Sequence, residues 1–106
     1  MASLDITVEQ LKEKLDKGEQ LYILDVREQS EYQTANIGGK LIPLGELPRR
    51  YSELDAEKEI IFHCHHGGRS RRAVEFLHQK GFKNVKNLAG GIDEWSVKVD
   101  PKVPRY

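Results

Sequence analysis

Short apolar runs alternate with polar segments of helical period along this chain, and that alternation sets its expected architecture. Leu21-Tyr22-Ile23-Leu24-Asp25-Val26, Leu41-Ile42-Pro43, Glu59 to His63 and Asn84 to Leu88 are brief and apolar, as strands buried on both faces are. Between them the period changes. Thr7 and Gln10 form a capping-box pair that predicts a helix from about Val8, with Leu11 and Leu15 four apart and Gly18 placed to end it. Ser30 is expected to cap a short helix through Glu31 and Tyr32, and Gly38-Gly39 to turn the chain into the second strand. Positions 44, 47, 51 and 54 are apolar at helical spacing, with Gly45 and Pro48 confining the helix to a start near Pro48. A helix from about Ser70 to Lys80 would bury Ala73, Val74 and Leu77 and end at Gly81, and a last short one would span Ile92 to Trp95, whose side chains are read as core. The tail from Asp100 to Tyr106 has two prolines, which oppose a helix, and is expected to be extended, packed or frayed.

Alternating strands and helices of this kind imply an α/β fold with a mainly parallel central sheet flanked by helices on both faces, in which ligands bind beyond the carboxyl ends of the strands. No internal repeat, low-complexity stretch or linker divides the chain, so residues 1–106 are read as a single domain. Seventeen Lys and Arg balance 17 Asp and Glu, which gives no reason to expect nucleic acid or an anionic membrane as a partner. No apolar run is long enough to cross a bilayer, and Met1-Ala2-Ser3-Leu4-Asp5 lacks the basic and apolar regions of a secretion signal. With one cysteine and no internal disulfide, a cytoplasmic protein is expected.

That cysteine is the strongest chemical signal. Cys64 follows the strand ending at His63 and opens Cys64-His65-His66-Gly67-Gly68-Arg69-Ser70, just before a helix. Two glycines let successive amides turn toward one centre, and the helix start adds partial positive charge. Arg69 contributes a cation at the same rim. Such surroundings favour a thiolate at neutral pH, whereas a buried structural thiol needs none of them. A metal site is disfavoured: His63, His65 and His66 diverge from one another and no second His or Cys cluster completes a tetrahedral shell. His65 and His66 are expected at the loop mouth, and His78 on an exposed helix face.

The loop resembles the active loop of rhodanese-type sulfurtransferases, a cysteine followed by four residues, an arginine and a Ser or Thr. The likeness extends to Leu24-Asp25-Val26-Arg27-Glu28 with Glu31-Tyr32, to Leu41-Ile42-Pro43, and to Leu88-Ala89-Gly90-Gly91-Ile92-Asp93-Glu94-Trp95, in the family's order from about Leu4 to Trp95. The ending through Pro101, Pro104 and Tyr106 is similar to rhodanese domains fused behind adenylyltransferases. The chain departs from the family at Ala35-Asn36-Ile37, where many members have Gly-His-Ile, and at His65-His66, where Arg or Lys often follows the cysteine.

The resemblance implies sulfur transfer. Cys64 would take sulfane sulfur from thiosulfate or a small persulfide and pass it to a thiol, cyanide or a protein acceptor, such as a sulfur carrier or an adenylyltransferase partner, with no cofactor. His65, His66, Gly67, Gly68, Arg69 and Ser70 would form the substrate-binding loop. Arg69 is read either as an anchor for the donor's anion or as a scaffold ion pair, and Ser70 either as a donor to sulfur or as a helix cap. Asp25 and Arg27 would stand near the site, with ion pairing and turn-making as their expected work. Two other readings compete. A cysteine-dependent phosphatase or arsenate reductase has five residues between Cys and Arg where this chain has four. A non-catalytic interaction module would use the fold alone.

Overall fold

A computed structural model describes residues 4–106; the sequence reading of Met1, Ala2 and Ser3 falls outside them. In chain order the elements are β1 (Asp5–Ile6), α1 (Val8–Asp16), β2 (Tyr22–Asp25), α2 (Gln29–Thr34), β3 (Lys40–Leu41), α3 (Leu47–Arg50), β4 (Ile60–His63), α4 (Gly68–Gln79), β5 (Val85–Leu88) and α5 (Gly91–Lys98), with single 3₁₀ turns on either side of α3. The five strands form one sheet in the order β1-β5-β4-β2-β3, and every pairing is parallel. The fold is the α/β, parallel-sheet architecture expected from the alternation.

Because every strand runs the same way, all carboxyl ends lie on one rim. β4 is central and fully buried. Its residues alternate between two cores: Ile60 and Phe62 pack with Leu24, Leu47, Ala73, Val74 and Leu77, under α3 and α4, while Ile61 packs with Ile6, Leu11, Leu88, Ile92 and Trp95, under α1 and α5. Cys64 continues the first series and belongs to the α4 side.

Several boundaries differ from expectation for local reasons. The Thr7–Gln10 capping box forms as read, with the Gln10 N–H donating to Thr7 Oγ1 and the Thr7 N–H to Gln10 Oε1. Leu15, by contrast, is exposed, because α1 buries its first turns only. β1 has two residues, too few for an alternation to register, and it pairs with β5 at the sheet edge. α2 is capped by Glu28, not Ser30: the Glu31 carboxylate three residues on accepts the Glu28 N–H, and Ser30 lies within the helix. β3 is Lys40–Leu41, ahead of the expected Leu41-Ile42-Pro43, since Pro43 has no N–H to give a ladder. α4 begins at Gly68, two residues before Ser70, so Arg69 and Ser70 lie in its first turn. Of the arrangements expected for it, the tail adopts the packed one: the chain bends at 100–103 and buries Val103.

Candidate functional site

Cys64 lies one residue beyond β4 and is 2% exposed. The chain then turns sharply: Gly67 has φ +114°, a conformation side chains rarely adopt, and its N–H points back to Cys64 Sγ at 3.0 Å. The amides of Arg69 and Ser70, among the N–H groups that the start of α4 leaves without a carbonyl partner, also face the sulfur. The Ser70 hydroxyl stands 3.5 Å from it. Burial opposes the thiolate most strongly, yet the Ser70 hydroxyl and the three amides together outweigh it and hold the Cys64 thiol below its ordinary value.

A second helix start fixes the loop from behind. The N–H groups of Ile92 and Asp93, in the first turn of α5, donate to the carbonyls of Cys64 and His65 at 2.9 and 3.2 Å. Gly91 permits this approach, because a Cβ there would come within 2.4 Å of the Cys64 carbonyl oxygen. The signature Gly90-Gly91 is thus part of the scaffold of the loop.

Arg69 does not aim at the sulfur. Its guanidinium forms a two-pronged pair with Glu31 at 2.6 and 2.8 Å, and this pairing, more than any other contact, holds the Glu31 carboxyl down at about 2. Glu31 also accepts from Tyr106, whose ring stacks on His65 at 4.1 Å. His65 therefore lies half-buried against the tail, while His66 is exposed.

Asp25 and Arg27 are both fully buried and paired at 2.6 Å. Arg27 spends its remaining donors on the Ala35 carbonyl at 2.6 Å and the Tyr106 hydroxyl at 2.8 Å, and the Asp25 carboxylate also accepts the Arg27 N–H. The pair reaches the loop through Tyr106 and Glu31, and Asp25 lies 3.7 Å from His63. His63, opposite Asp25 in the β2–β4 register, is buried with neither ring nitrogen hydrogen-bonded, and desolvation pushes it down to about 4, so it is neutral. Asn36, at the position where the family often has histidine, closes a turn by accepting the Gly38 N–H and donating to the Tyr32 carbonyl, each at 3.0 Å.

Four residues of the site were not legible as such. Glu31 carries the family likeness beside Tyr32, but nothing local announces its pairing with Arg69. Asn87 sits on β5 beside Ser70, and in a strand that also carries Lys86 its polarity is no signal by itself. Tyr106 belongs to the tail, whose likeness to fused rhodanese domains says nothing of its contacts with His65 and Glu31. Arg72, three residues after Arg69 on the same helix face, lines the cleft of about 330 Å³ at the loop mouth with Cys64, His65, His66, Gly68 and Arg69. Among the described residues it is the cation of that cleft without an ion-pair partner.

Among the described residues, no three His, Cys, Asp or Glu side chains are placed to hold a metal ion. What the arrangement can do is ionise a single sulfur and stabilise negative charge beside it. Fold and site together define an α/β domain whose one thiol is held in an amide cradle at the carboxyl rim of a parallel sheet.

Residues 7–98 match the Rhodanese-like domain family. The chain is 43% identical over 97 residues to YrkF of Bacillus subtilis, covering 91% of this chain and 52% of that one, so it spans about half of that relative's length. It is 32% identical over 93 residues to a sulfurtransferase of Allochromatium vinosum, covering 87% of each. It is also 38% identical over 112 residues to the adenylyltransferase and sulfurtransferase MOCS3-2 of Zea mays, covering 98% of this chain and 23% of that one. A rhodanese-related protein from Thermoplasma volcanium superposes with a TM-score of 0.84 at 34% identity, covering 96% of this chain and 98% of the other. The chain belongs to the rhodanese-like family, and some of the relatives it resembles are named as sulfurtransferases.

Proposed function

We propose that this single-domain chain is a sulfurtransferase that carries sulfane sulfur as a persulfide on Cys64. The observation that carries the reading is the convergence of the Gly67, Arg69 and Ser70 amides and the Ser70 hydroxyl on one sulfur. The Cys64 thiolate attacks the outer sulfur of thiosulfate. A new S–S bond forms to Sγ, the donor's S–S bond breaks, and its electron pair leaves with sulfite. Negative charge now resides on the outer sulfur of the persulfide, where loop amides and the α4 dipole stabilise it. A thiolate or cyanide then attacks that outer sulfur and returns Sγ to the thiolate.

With Arg69 engaged by Glu31, the anionic end of the donor is assigned to Arg72, at the open side of the cleft. Gly67, Gly68, Arg69 and Ser70 build the cradle, and His65 and His66 form its mouth. Asp25 and Arg27 hold the scaffold. A small thiol or cyanide reaches the cleft directly, and a protein acceptor, sulfur carrier or adenylyltransferase partner would present an extended segment to it. The site asks for no cofactor, and we assign the chain to the cytoplasm.

Intact-protein mass spectrometry tests the reading. Brief exposure to thiosulfate or glutathione persulfide should add one sulfur, about 32 Da, removable by cyanide or a thiol and absent from Cys64→Ala. A folded, reduced protein that gains no sulfur from either donor would rule it out.

A further inference from the structure

Ser70 has one hydroxyl hydrogen and three acceptors within reach: Cys64 Sγ at 3.5 Å, the Gly67 carbonyl at 3.2 Å, and Asn87 Oδ1 in the closest contact. Asn87 is itself buried, 2% exposed, and its amide orientation is not free. Its Nδ2 donates to Asp5 Oδ1 at 3.1 Å, and a carboxylate can only accept, so Oδ1 must face Ser70. The parallel register of β1 against β5 sets Asp5 directly beside Asn87. Three strands and a helix thus meet in one chain of polar groups, Asp5, Asn87, Ser70 and Cys64, buried from Asn87 inward.

We propose that Asn87 is a positioning residue that holds the Ser70 hydroxyl hydrogen whenever Cys64 is uncharged, and yields it to the sulfur when the thiolate forms. In the thiol state Ser70 donates to Asn87, and its oxygen is left to accept the S–H. When the thiol loses its proton to water, the Ser70 hydroxyl rotates to donate to Sγ, and Asn87 Oδ1 gives up its partner. No covalent bond of Ser70 or Asn87 changes. Resting on the sulfurtransferase reading, the same logic covers the loaded state: once the negative charge has moved to the outer sulfur, Sγ is neutral and the hydrogen returns to Asn87. Asn87 therefore favours the uncharged and sulfur-loaded forms, against the bare thiolate, by competing for one hydrogen bond.

Other charged groups surround this chain. Arg71 pairs with Asp5 at 2.9 Å, Arg69 with Glu31, and Arg105 with Asp93; His63 lies behind the sulfur on β4, His65 and His66 lie at the mouth, and Lys86 precedes Asn87 on β5. They are common to all the variants compared below.

The test is the pH dependence of Cys64 alkylation by iodoacetamide, an uncharged reagent, in the wild type, Asn87→Ala, Ser70→Ala and the double variant. Removing the competitor should lower the alkylation midpoint of Asn87→Ala by about half a pH unit, giving about threefold more thiolate below the midpoint. Ser70→Ala should raise it, and Asn87→Ala should have no further effect in the Ser70→Ala background. A merely structural role for Asn87 predicts the opposite sign, because a loosened loop withdraws amides from the sulfur. A midpoint unchanged or raised in Asn87→Ala, or the same shift with Ser70 absent, would overturn the proposal. Where Asn87→Ala does not fold, Asn87→Val, suited to a strand, replaces it with the same expectations. Alkylation does not depend on sulfur transfer. A wild type that takes up no sulfur but shows these shifts would reject the sulfurtransferase reading and support the role of Asn87.

Discussion

Two buried charged sites lie side by side at the carboxyl rim, one at the end of β2 and one just beyond β4. In the first, Asp25 and Arg27 neutralise each other and the guanidinium is satisfied on all sides. In the second, among the described residues, no cation pairs with Cys64, since Arg69 is turned to Glu31, and negative charge on the sulfur is met by amide dipoles and one hydroxyl. The first arrangement stabilises a charge that never leaves; the second holds one that can come and go. Dipoles suit the second task because they stabilise an anion without forming a pair that a reaction must later separate.

The contrast breaks most sharply at Arg27. Arg27→Met leaves the Asp25 carboxyl without its partner in the core and should cost about 3 to 5 kcal/mol in urea unfolding. Cys64→Ala, by comparison, should cost about 1 kcal/mol or less while abolishing sulfur uptake. Next in size, Gly91→Ala places a Cβ against the Cys64 carbonyl and should destabilise the chain by about 2 to 3 kcal/mol, with Cys64 alkylation slowed as the loop is displaced.

A third expectation concerns pH. His63, ordinarily near 6.5, is held at about 4 when folded. The unfolded chain therefore binds a proton that the folded one refuses, and stability falls as pH drops from about 6.5 toward 4, by about 3 kcal/mol. Half-buried His65, also depressed by burial, acts in the same direction. The Glu31 contribution is lost only below its unfolded value of 4.5, as the pH falls toward 2. Urea midpoints at pH 7, 5.5 and 4 should decline in the wild type and flatten above pH 4.5 in His63→Leu. A wild type equally stable at pH 7 and 4.5 would contradict the buried neutral imidazole.

The smallest effect belongs to Arg72. Arg72→Gln should slow loading from dianionic thiosulfate about three- to tenfold and leave the iodoacetamide rate unchanged. Equal slowing with both reagents would mean that the thiolate, not donor binding, had been altered.

Much of this frame was legible from residue order. The strands at Leu21–Val26 and Glu59–His63, the Thr7 capping box and the loop opening at Cys64 all rest on local pattern, which a sequence displays directly. What escaped was long-range or very short. A two-residue strand such as β1 has no period, and the Glu31–Arg69 and Tyr106–His65 contacts join positions 38 and 41 residues apart in the numbering of the chain. Arg69 illustrates the limit. Its place in the loop was evident, but which way its guanidinium turned depended on a helix capped by Glu28, and that cap was misplaced at Ser30.

The all-parallel sheet has a further, practical consequence. Since every strand points its carboxyl end to the rim that holds the sulfur, the turn at Lys17–Gly18 before β2 and the exposed bend at Asp55–Lys58 before β4 lie on the opposite rim. A fluorophore, surface tether or affinity handle attached at either turn would stand a full strand length from Cys64, and immobilised protein would present its reactive sulfur outward.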